Sequence, residues 1–210
     1  GYNQSKWASE HLGLLARERG VPVAIHRPAR ITGDRLHGIS NTGDYFNAWI
    51  RGCVQLGMAP KSKGDFFDMT PVDYVARAVV AVLLGAGDAN GNYHYFNART
   101  LPVTDAVAGI RDAGLPIDHV PYAQWQQALM AAVVAEVDNP LRPFAGLFPE
   151  QTASDADAEP QDMPRFDCSA TEAAVVALAG ECPPADRALF DRYLRFLQDA
   201  GALPVGGASP

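Results

Sequence analysis

The sequence predicts an α/β fold: the later strands and helices of a doubly wound, mostly parallel sheet. Apolar residues recur at helical spacing in several stretches. The runs between them are short and rich in β-branched or aromatic residues, and Gly, Pro and Asn separate the two kinds of segment. With 210 residues, 48% of them hydrophobic, the chain is long enough for one large domain, or for one domain and a smaller appendage.

The first predicted elements follow the order helix, strand, loop, helix. Apolar residues near helical spacing predict a helix over residues 2–19, and Gly20 supplies a left-handed stop. Residues 21–26 are apolar and β-branched, which is typical of a strand buried in a parallel sheet. A loop rich in Gly, Pro and Asn over residues 27–42 then leads to a helix over residues 44–57.

The middle of the chain continues the alternation. After an extended segment at residues 66–69, Thr70 is predicted as the N-cap of a helix over residues 71–84, with Pro71 in its first turn and Asp73 three residues after the cap. The same patterns predict strands over residues 93–96 and 117–120, and helices over residues 104–113 and 122–137.

The last third of the chain changes character. Residues 149–164 are acidic, rich in small residues and without apolar periodicity, so they are predicted to form a flexible surface loop. Ser169 and Glu172 have capping-box spacing before a short helix, and Pro184 is expected to open a last amphipathic helix. Residues 204–210 are predicted as a frayed tail.

Charge and composition exclude several function classes. The chain carries 24 acidic and 17 basic residues, a net charge of −7, which repels nucleic acid and anionic membrane surfaces. No apolar run approaches the roughly 20 residues of a membrane span, and the first ten residues lack the features of a signal peptide, so we expect a cytoplasmic protein. Cys53, Cys168 and Cys182 lie at wide spacings that do not suggest a metal site and are expected to be reduced and mostly buried.

Tyr2 and Lys6 form the first candidate chemical pair. They are four residues apart at the start of a predicted helix, so both side chains lie on one face. A free phenol titrates near pH ~10, and a nearby ammonium group favours the phenolate. The spacing predicts Tyr2 as a proton donor that Lys6 tunes. The bare spacing also occurs in helices by chance, so the surrounding motifs carry the argument.

Those motifs occur in a particular order. GYNQSKWASE spans residues 1–10, RGVPVAIHRPARITG spans residues 19–33, and FFDMTPVDYVARAVV spans residues 66–80. DNPLRPFAGLF over residues 138–148 and FDCSATEAAV over residues 166–175 follow. Together they resemble the thioester reductase domains of the extended short-chain dehydrogenase/reductase family, as found in non-ribosomal peptide synthetases and carboxylic acid reductases. The resemblance spans nearly the entire chain.

The resemblance implies roles for five residues. Tyr2 is expected to donate a proton to the substrate carbonyl oxygen, and Lys6 to tune Tyr2 and bond the nicotinamide ribose. Pro28, Ala29 and Ile31 are expected to lie against the nicotinamide, at the carboxyl end of a strand. Ala29 stands where the family usually has Gly, and its side chain is expected to narrow the space in which the nicotinamide approaches the backbone. No metal is expected.

A phosphate-binding, Gly-rich turn does not precede Tyr2, and the family's catalytic Ser or Thr lies upstream of the Tyr. The first Met is Met58, so we expect the polypeptide to begin further upstream. The isolated 210 residues are expected to bind the cofactor poorly and to be inactive. For Arg27 and Arg30, contact with a ligand and a solvated charge on the loop are equally good interpretations. Trp49 and Trp125 are expected either to lie in the core or to line a substrate channel.

The resemblance thus implies a Rossmann-like reductase that uses NADPH to reduce a carrier-bound acyl or peptidyl thioester to an aldehyde or alcohol. Its partners are a carrier protein with a phosphopantetheine-bound substrate and the upstream half of the same domain. Residues 1–120 are expected to belong to the NAD(P)-binding part, and residues 121–203 to a smaller, mostly helical substrate-binding region. The alternatives are another extended reductase or epimerase, acting on a nucleotide sugar, steroid or fatty acyl-CoA, and a non-catalytic nucleotide- or carrier-binding remnant.

Overall fold

The structure is a computed structural model, and it describes residues 1–61, 65–150 and 166–205. Its seven helices within these ranges are α1 (Tyr2–Glu18), α2 (Tyr45–Leu56), α3 (Val72–Ala81), α4 (Val103–Asp112), α5 (Tyr122–Val134), α6 (Ser169–Ala179) and α7 (Arg187–Asp199). The strands there are β1 (Ile25–Pro28), β2 (Ile31–Thr32), β3 (Met58–Lys61), β4 (Phe66–Phe67), β5 (Thr70–Pro71), β6 (Asn92–Tyr95), β7 (Leu101–Pro102) and β8 (Asp118–Pro121). A π-helical segment, Val82–Ala86, follows α3, and a 3-10 helix spans Arg142–Leu147.

The strands form two-stranded pairs that are mostly parallel. β1 pairs with β6, β2 with β5 and β3 with β8, all in parallel, whereas β4 and β7 are antiparallel. In the β1–β6 pair, Arg27 lies opposite His94 and Pro28 lies opposite Tyr95. Parallel pairs joined by helical crossovers are the signature of an α/β fold, so the predicted fold class is confirmed.

Two hydrophobic clusters hold the described part of the chain together. The larger cluster packs α2, α4, α5 and α7 around side chains with no exposed surface, among them Trp125, Phe190 and Tyr193. The smaller cluster packs α3 and α6 against β6, with Tyr95 and Val175 buried. The larger cluster joins residues on both sides of position 120, and the division of the chain at that position stays a prediction.

Helix α2 shows how local sequence sets its ends. The Asp44 carboxylate accepts a hydrogen bond from the Asn47 amide at 2.8 Å, an N-cap contact. Gly57 ends the helix with φ of +67°, a backbone conformation that favours glycine. Strand β3 begins directly after it. No sequence pattern indicated this strand, because Pro60 interrupts a run without apolar alternation.

Gly52 is where α2 packs most closely on the rest of the core. A Cβ atom at this position would lie 2.6 Å from Leu141 Cγ and 2.8 Å from Asn139 Oδ1. We expect Gly52→Ala to lower the free energy of unfolding. The overpacking penalty of about 1–3 kcal/mol exceeds the roughly 1 kcal/mol that Ala gains over Gly as a helix former. Urea denaturation measures the change. The matched control is Gly146→Ala, where a Cβ meets nothing within 4 Å, and equal loss in both variants contradicts the packing argument.

Several predicted element boundaries were wrong. The strand expected over residues 21–26 lies at Ile25–Pro28. The preceding residues bond to the end of α1 and to the loop before β6 instead. The Val21 amide donates to the Ala16 carbonyl, and the Val23 amide donates to Asn90 Oδ1. Their backbone groups are therefore satisfied outside the β1–β6 ladder.

Two predicted helix caps were also wrong. Thr70 lies in β5 opposite Ile31, so its backbone belongs to a strand pair and Pro71 directly precedes α3. Ser169 lies inside α6, and its hydroxyl donates to Asp167 Oδ1 at 2.6 Å instead of capping the helix. The last helix begins at Arg187, later than Pro184, because Asp186 caps it by accepting from the Leu189 amide.

Two predicted irregular segments fall largely outside the described residues. These are nearly all of the loop predicted at residues 149–164 and most of the tail predicted at residues 204–210. Cys53, Cys168 and Cys182 are free and buried, as predicted, and burial raises the pKa of the Cys182 thiol to about 12. Within the described ranges, every helix is too short or too polar to cross a bilayer.

Candidate functional site

The structure brings Tyr2 and Lys6 together on the first two turns of α1. The Lys6 ammonium nitrogen lies 5.4 Å from the centroid of the Tyr2 ring. Tyr2 is 75% exposed and α1 buries none of its residues, so both polar groups are open to a ligand. The predicted juxtaposition of the pair is therefore present. Its chemical role stays a prediction.

Polar contacts hold α1 against the β1–β6 pair. Arg27 donates from Nε to Glu10 Oε2 at 3.0 Å and from Nη2 to Glu10 Oε1 at 2.5 Å. Its Nη1 lies 3.0 Å from His94 Nε2 on the neighbouring strand. Arg17 donates to the carbonyls of Val23 and Gly91 at 2.7 Å each. Arg27 is therefore a structural tie between α1, β1 and β6, a third possibility beside the two considered from sequence.

The Glu10–Arg27 ion pair makes the docking of α1 depend on pH. The hydrogen bond from Arg27 lowers the pKa of Glu10 below its usual value of 4.5. A lowered pKa in the folded state means that the stabilisation is complete above the unfolded-state pKa and is lost as the pH falls through the lowered pKa. We expect hydrogen-exchange protection of α1 to fall in this acidic window, and to fall less in Glu10→Gln. Glu18→Gln, at the other end of the helix, is the control, and an unchanged profile in Glu10→Gln contradicts the assignment.

The segment predicted to face the nicotinamide continues from β1 into β2. The Ala29 amide donates to the Tyr95 carbonyl, and the Thr70 amide donates to the Arg30 carbonyl. These bonds join the segment to β6 and β5 and leave the side chains of Pro28, Ala29 and Ile31 exposed. The segment thus lies at the carboxyl end of a parallel strand with an uncovered outer side, where open α/β sheets bind ligands. Within the described ranges, no hydrogen bond joins it to Tyr2 or Lys6.

Comparisons with known proteins indicate the family of the chain. Residues 1–79 match the family model of an NAD-binding domain described as male sterility protein. The chain is 31% identical over 207 residues to a linear gramicidin synthase protein of Brevibacillus parabrevis, covering 98% of this chain and 4% of that protein. It is 38% identical over 149 residues to the large subunit of L-2-aminoadipate reductase from Eremothecium gossypii, covering 69% of this chain and 10% of that protein.

A solved structure above 30% identity matches almost the whole chain. It is the terminal R domain from the myxalamid PKS-NRPS biosynthetic pathway, with a TM-score of 0.83 and 32% identity. The match covers 98% of this chain and 51% of that chain. The chain belongs to the thioester reductase domains of the extended short-chain dehydrogenase/reductase family. It spans about half of the reductase domain in that structure, and much smaller parts of the synthase and the aminoadipate reductase.

Arg30 is a residue of this reductase domain that the sequence did not place. Its guanidinium carbon lies 5.8 Å from the Tyr45 ring centroid and 5.3 Å from the Phe67 ring centroid. Its Nη1 is 3.4 Å from Asp68 Oδ1, close enough for an ion pair, but it has no partner with hydrogen-bond geometry in the described ranges. Arg30 is therefore not a solvated loop charge. It packs on aromatic rings beside the predicted nicotinamide segment.

Proposed function

We propose that this chain supplies the catalytic Tyr2–Lys6 pair and part of the nicotinamide site of an NADPH-dependent reductase that acts on a carrier-bound acyl or peptidyl thioester. The observation that carries the proposal is the exposed Tyr2–Lys6 pair on a helix that Arg27 ties to β1. The carboxyl end of β1 leads directly into the exposed segment at Pro28, Ala29 and Ile31. Membership of the reductase family gives this geometry its chemical interpretation.

The residues present fit a dinucleotide at this edge of the sheet. Pro28, Ala29 and Ile31 present exposed side chains, while the Ala29 amide and the Arg30 carbonyl are already bonded to neighbouring strands. Pro28, Ala29 and Ile31 would therefore offer the nicotinamide ring an apolar surface without loss of a backbone hydrogen bond. When bound, the cofactor supplies a hydride to the thioester carbonyl carbon. Lys6 would bond the ribose through its exposed ammonium group.

Tyr2 then supplies the proton, and Lys6 stabilises the charge that develops on Tyr2. The Tyr2 hydroxyl donates a hydrogen bond to the carbonyl oxygen and transfers its proton there as negative charge develops. The Lys6 ammonium stabilises the phenolate that remains. Cleavage of the carbon–sulfur bond in the resulting thiohemiacetal releases the thiol and leaves an aldehyde. Reduction of the aldehyde to an alcohol would require a second NADPH and a second proton.

Two partners follow from the proposal. A carrier protein with a phosphopantetheine arm delivers the thioester, and the other half of the reductase domain binds the cofactor phosphates. The exposed apolar side chains of α1 suit contact with that other half: Trp7 is 64% exposed, Leu12 is 67% exposed and Leu15 is 46% exposed. Exposed apolar side chains on one helix are typical of an interaction surface.

The test uses the complete encoded polypeptide that contains this chain, an acyl-pantetheine thioester and NADPH or NADH. Thioester reduction to an aldehyde predicts equimolar loss of NADPH and appearance of free thiol, and reduction on to an alcohol predicts two NADPH lost per thiol released. Turnover only with a nucleotide sugar or steroid carbonyl contradicts the substrate class. Failure to bind either dinucleotide favours the non-catalytic remnant.

A further inference from the structure

An aromatic cavity of about 200 Å³ lies behind Arg30, between α2, α5 and the 3-10 helix. Six aromatic side chains line it: Tyr45, Trp49, Phe67, Tyr122, Trp125 and Phe148. The helices supply four of the six, because Tyr45 and Trp49 are one turn apart on α2, and Tyr122 and Trp125 are one turn apart on α5. Helical periodicity thus directs two aromatic pairs, one from each helix, into the same cavity.

The rings support one another, so the walls are rigid. Trp49 and Phe67 make an edge-to-face contact with centroids 5.0 Å apart, and Trp125 and Phe148 make another at 4.9 Å. Trp125 has no exposed surface and Trp49 is 5% exposed. The outer side includes Leu147, which is 64% exposed, so the cavity reaches the protein surface there. A preformed pocket of this kind binds an apolar group with little ordering cost.

Arg30 joins this cavity to the proposed cofactor segment. Its backbone lies between Ala29 and Ile31, and its guanidinium packs on the rings of Tyr45 and Phe67, which form one wall. A substrate whose carbonyl lies at the nicotinamide segment therefore has the cavity on the far side of a single side chain.

The charge of the lining limits which acyl groups fit. In the part of the chain that the structure describes, Asp65 is the charged residue that lines the cavity. Burial raises the pKa of the Tyr45 phenol above its usual value, so this hydroxyl stays protonated at neutral pH. Asp65 is exposed, so its carboxylate lies at the rim of the cavity, where it repels an approaching ligand carboxylate, while the rest of the lining is mainly apolar and aromatic.

We propose that this cavity binds the distal end of the acyl group and that its aromatic lining selects aromatic or alkyl ends against anionic ones, with Phe148 as an apolar contact and Asp65 as a repelling charge at the rim. The inference rests on the proposed function, because the occupant is the acyl part of its thioester substrate. It names the substrate class that the sequence alone left open.

The test compares two acyl-pantetheine probes of similar length, one ending in a phenyl ring (3-phenylpropanoyl) and one ending in a carboxylate (glutaryl). Their amide analogues, which cannot be reduced in the same way, give Kd by titration calorimetry on the complete encoded polypeptide. We expect the phenyl probe to bind at least about tenfold more tightly. Phe148→Ala is expected to weaken the phenyl probe about tenfold, and Asp65→Asn to tighten the glutaryl probe about threefold or more.

Phe166→Ala is the matched control, because Phe166 is 49% exposed and packs on Phe96, away from the cavity lining. It should leave the Kd ratio unchanged. Equal Kd values for the two probes in wild type, or a ratio that neither cavity variant alters, overturn the cavity assignment. Thioester turnover is measured separately with the reducible probes, so failure of the proposed function and failure of the cavity assignment are distinguished.

Discussion

Replacing Tyr2 by Phe is expected to lower kcat for thioester reduction by roughly 10²–10⁴-fold, the usual contribution of a positioned general acid. The substitution removes one oxygen atom and leaves the ring. Tyr2 is 75% exposed, so the free energy of unfolding should not change. The measurement is NADPH oxidation by the complete polypeptide with an acyl-pantetheine thioester, together with thermal unfolding of both proteins.

Lys6→Met is the companion variant and Lys61→Met its matched control. Lys6 lies beside the Tyr2 ring, whereas Lys61 is an exposed residue of β3. Lys6→Met should reduce turnover and also weaken cofactor binding, because Lys6 is assigned to both the phenol and the ribose. Full activity in Tyr2→Phe, or equal losses in the two lysine variants, would be incompatible with the assigned roles.

Phe190→Ala is expected to have the largest effect on stability. Phe190 has no exposed surface, lies in the larger hydrophobic cluster and packs edge-to-face on Phe46 at 6.3 Å. Truncating a fully buried Phe to Ala costs about 3–5 kcal/mol, because transfer free energy is lost and a cavity remains. Urea denaturation followed by circular dichroism measures the loss.

The control for this variant is Phe166→Ala, the same change at a side chain that is 49% exposed. A change within about 0.5 kcal/mol is expected there, as for most surface substitutions. If Phe190→Ala costs no more than Phe166→Ala, α7 does not form part of the main core as described.

The sequence predicted the helices better than the strands, and the reason is local. Helices α1 and α2 were expected over residues 2–19 and 44–57 and lie at Tyr2–Glu18 and Tyr45–Leu56. The Asp44 side chain caps the start of α2, and Gly57 ends the helix in a left-handed conformation. Strands β2, β4, β5 and β7 have two residues each, too few for an alternation to appear, and only their partners define them.

In the candidate site, too, the local contacts were predictable from the sequence and the long-range contacts were not. The Tyr2–Lys6 juxtaposition follows from a spacing of four on one helix, so the sequence was sufficient for it. The surroundings of Arg27 and Arg30 were not predictable. Arg27 bonds Glu10 and approaches His94, which are 17 and 67 residues away, and Arg30 packs on rings from α2 and β4. Contacts at such separations exist only once the chain has folded.

Trp49 and Trp125 illustrate an intermediate case. Their helical spacing predicted burial, and both are buried in the larger cluster. Sequence left open whether they are core or channel lining. The structure places both on the wall of the aromatic cavity, where one side chain contributes to the core and lines a pocket at the same time.

The most direct measurement for the central claim follows the hydride itself. NADPH deuterated at the transferable position of the nicotinamide is incubated with an acyl-pantetheine thioester and the complete encoded polypeptide. The aldehyde or alcohol product is then analysed by mass spectrometry. The account predicts deuterium on the former carbonyl carbon. It also predicts one free thiol per NADPH oxidised when the product is the aldehyde. Release of the thiol with an unlabelled carboxylic acid, or no product at all while NADPH is bound, would contradict it.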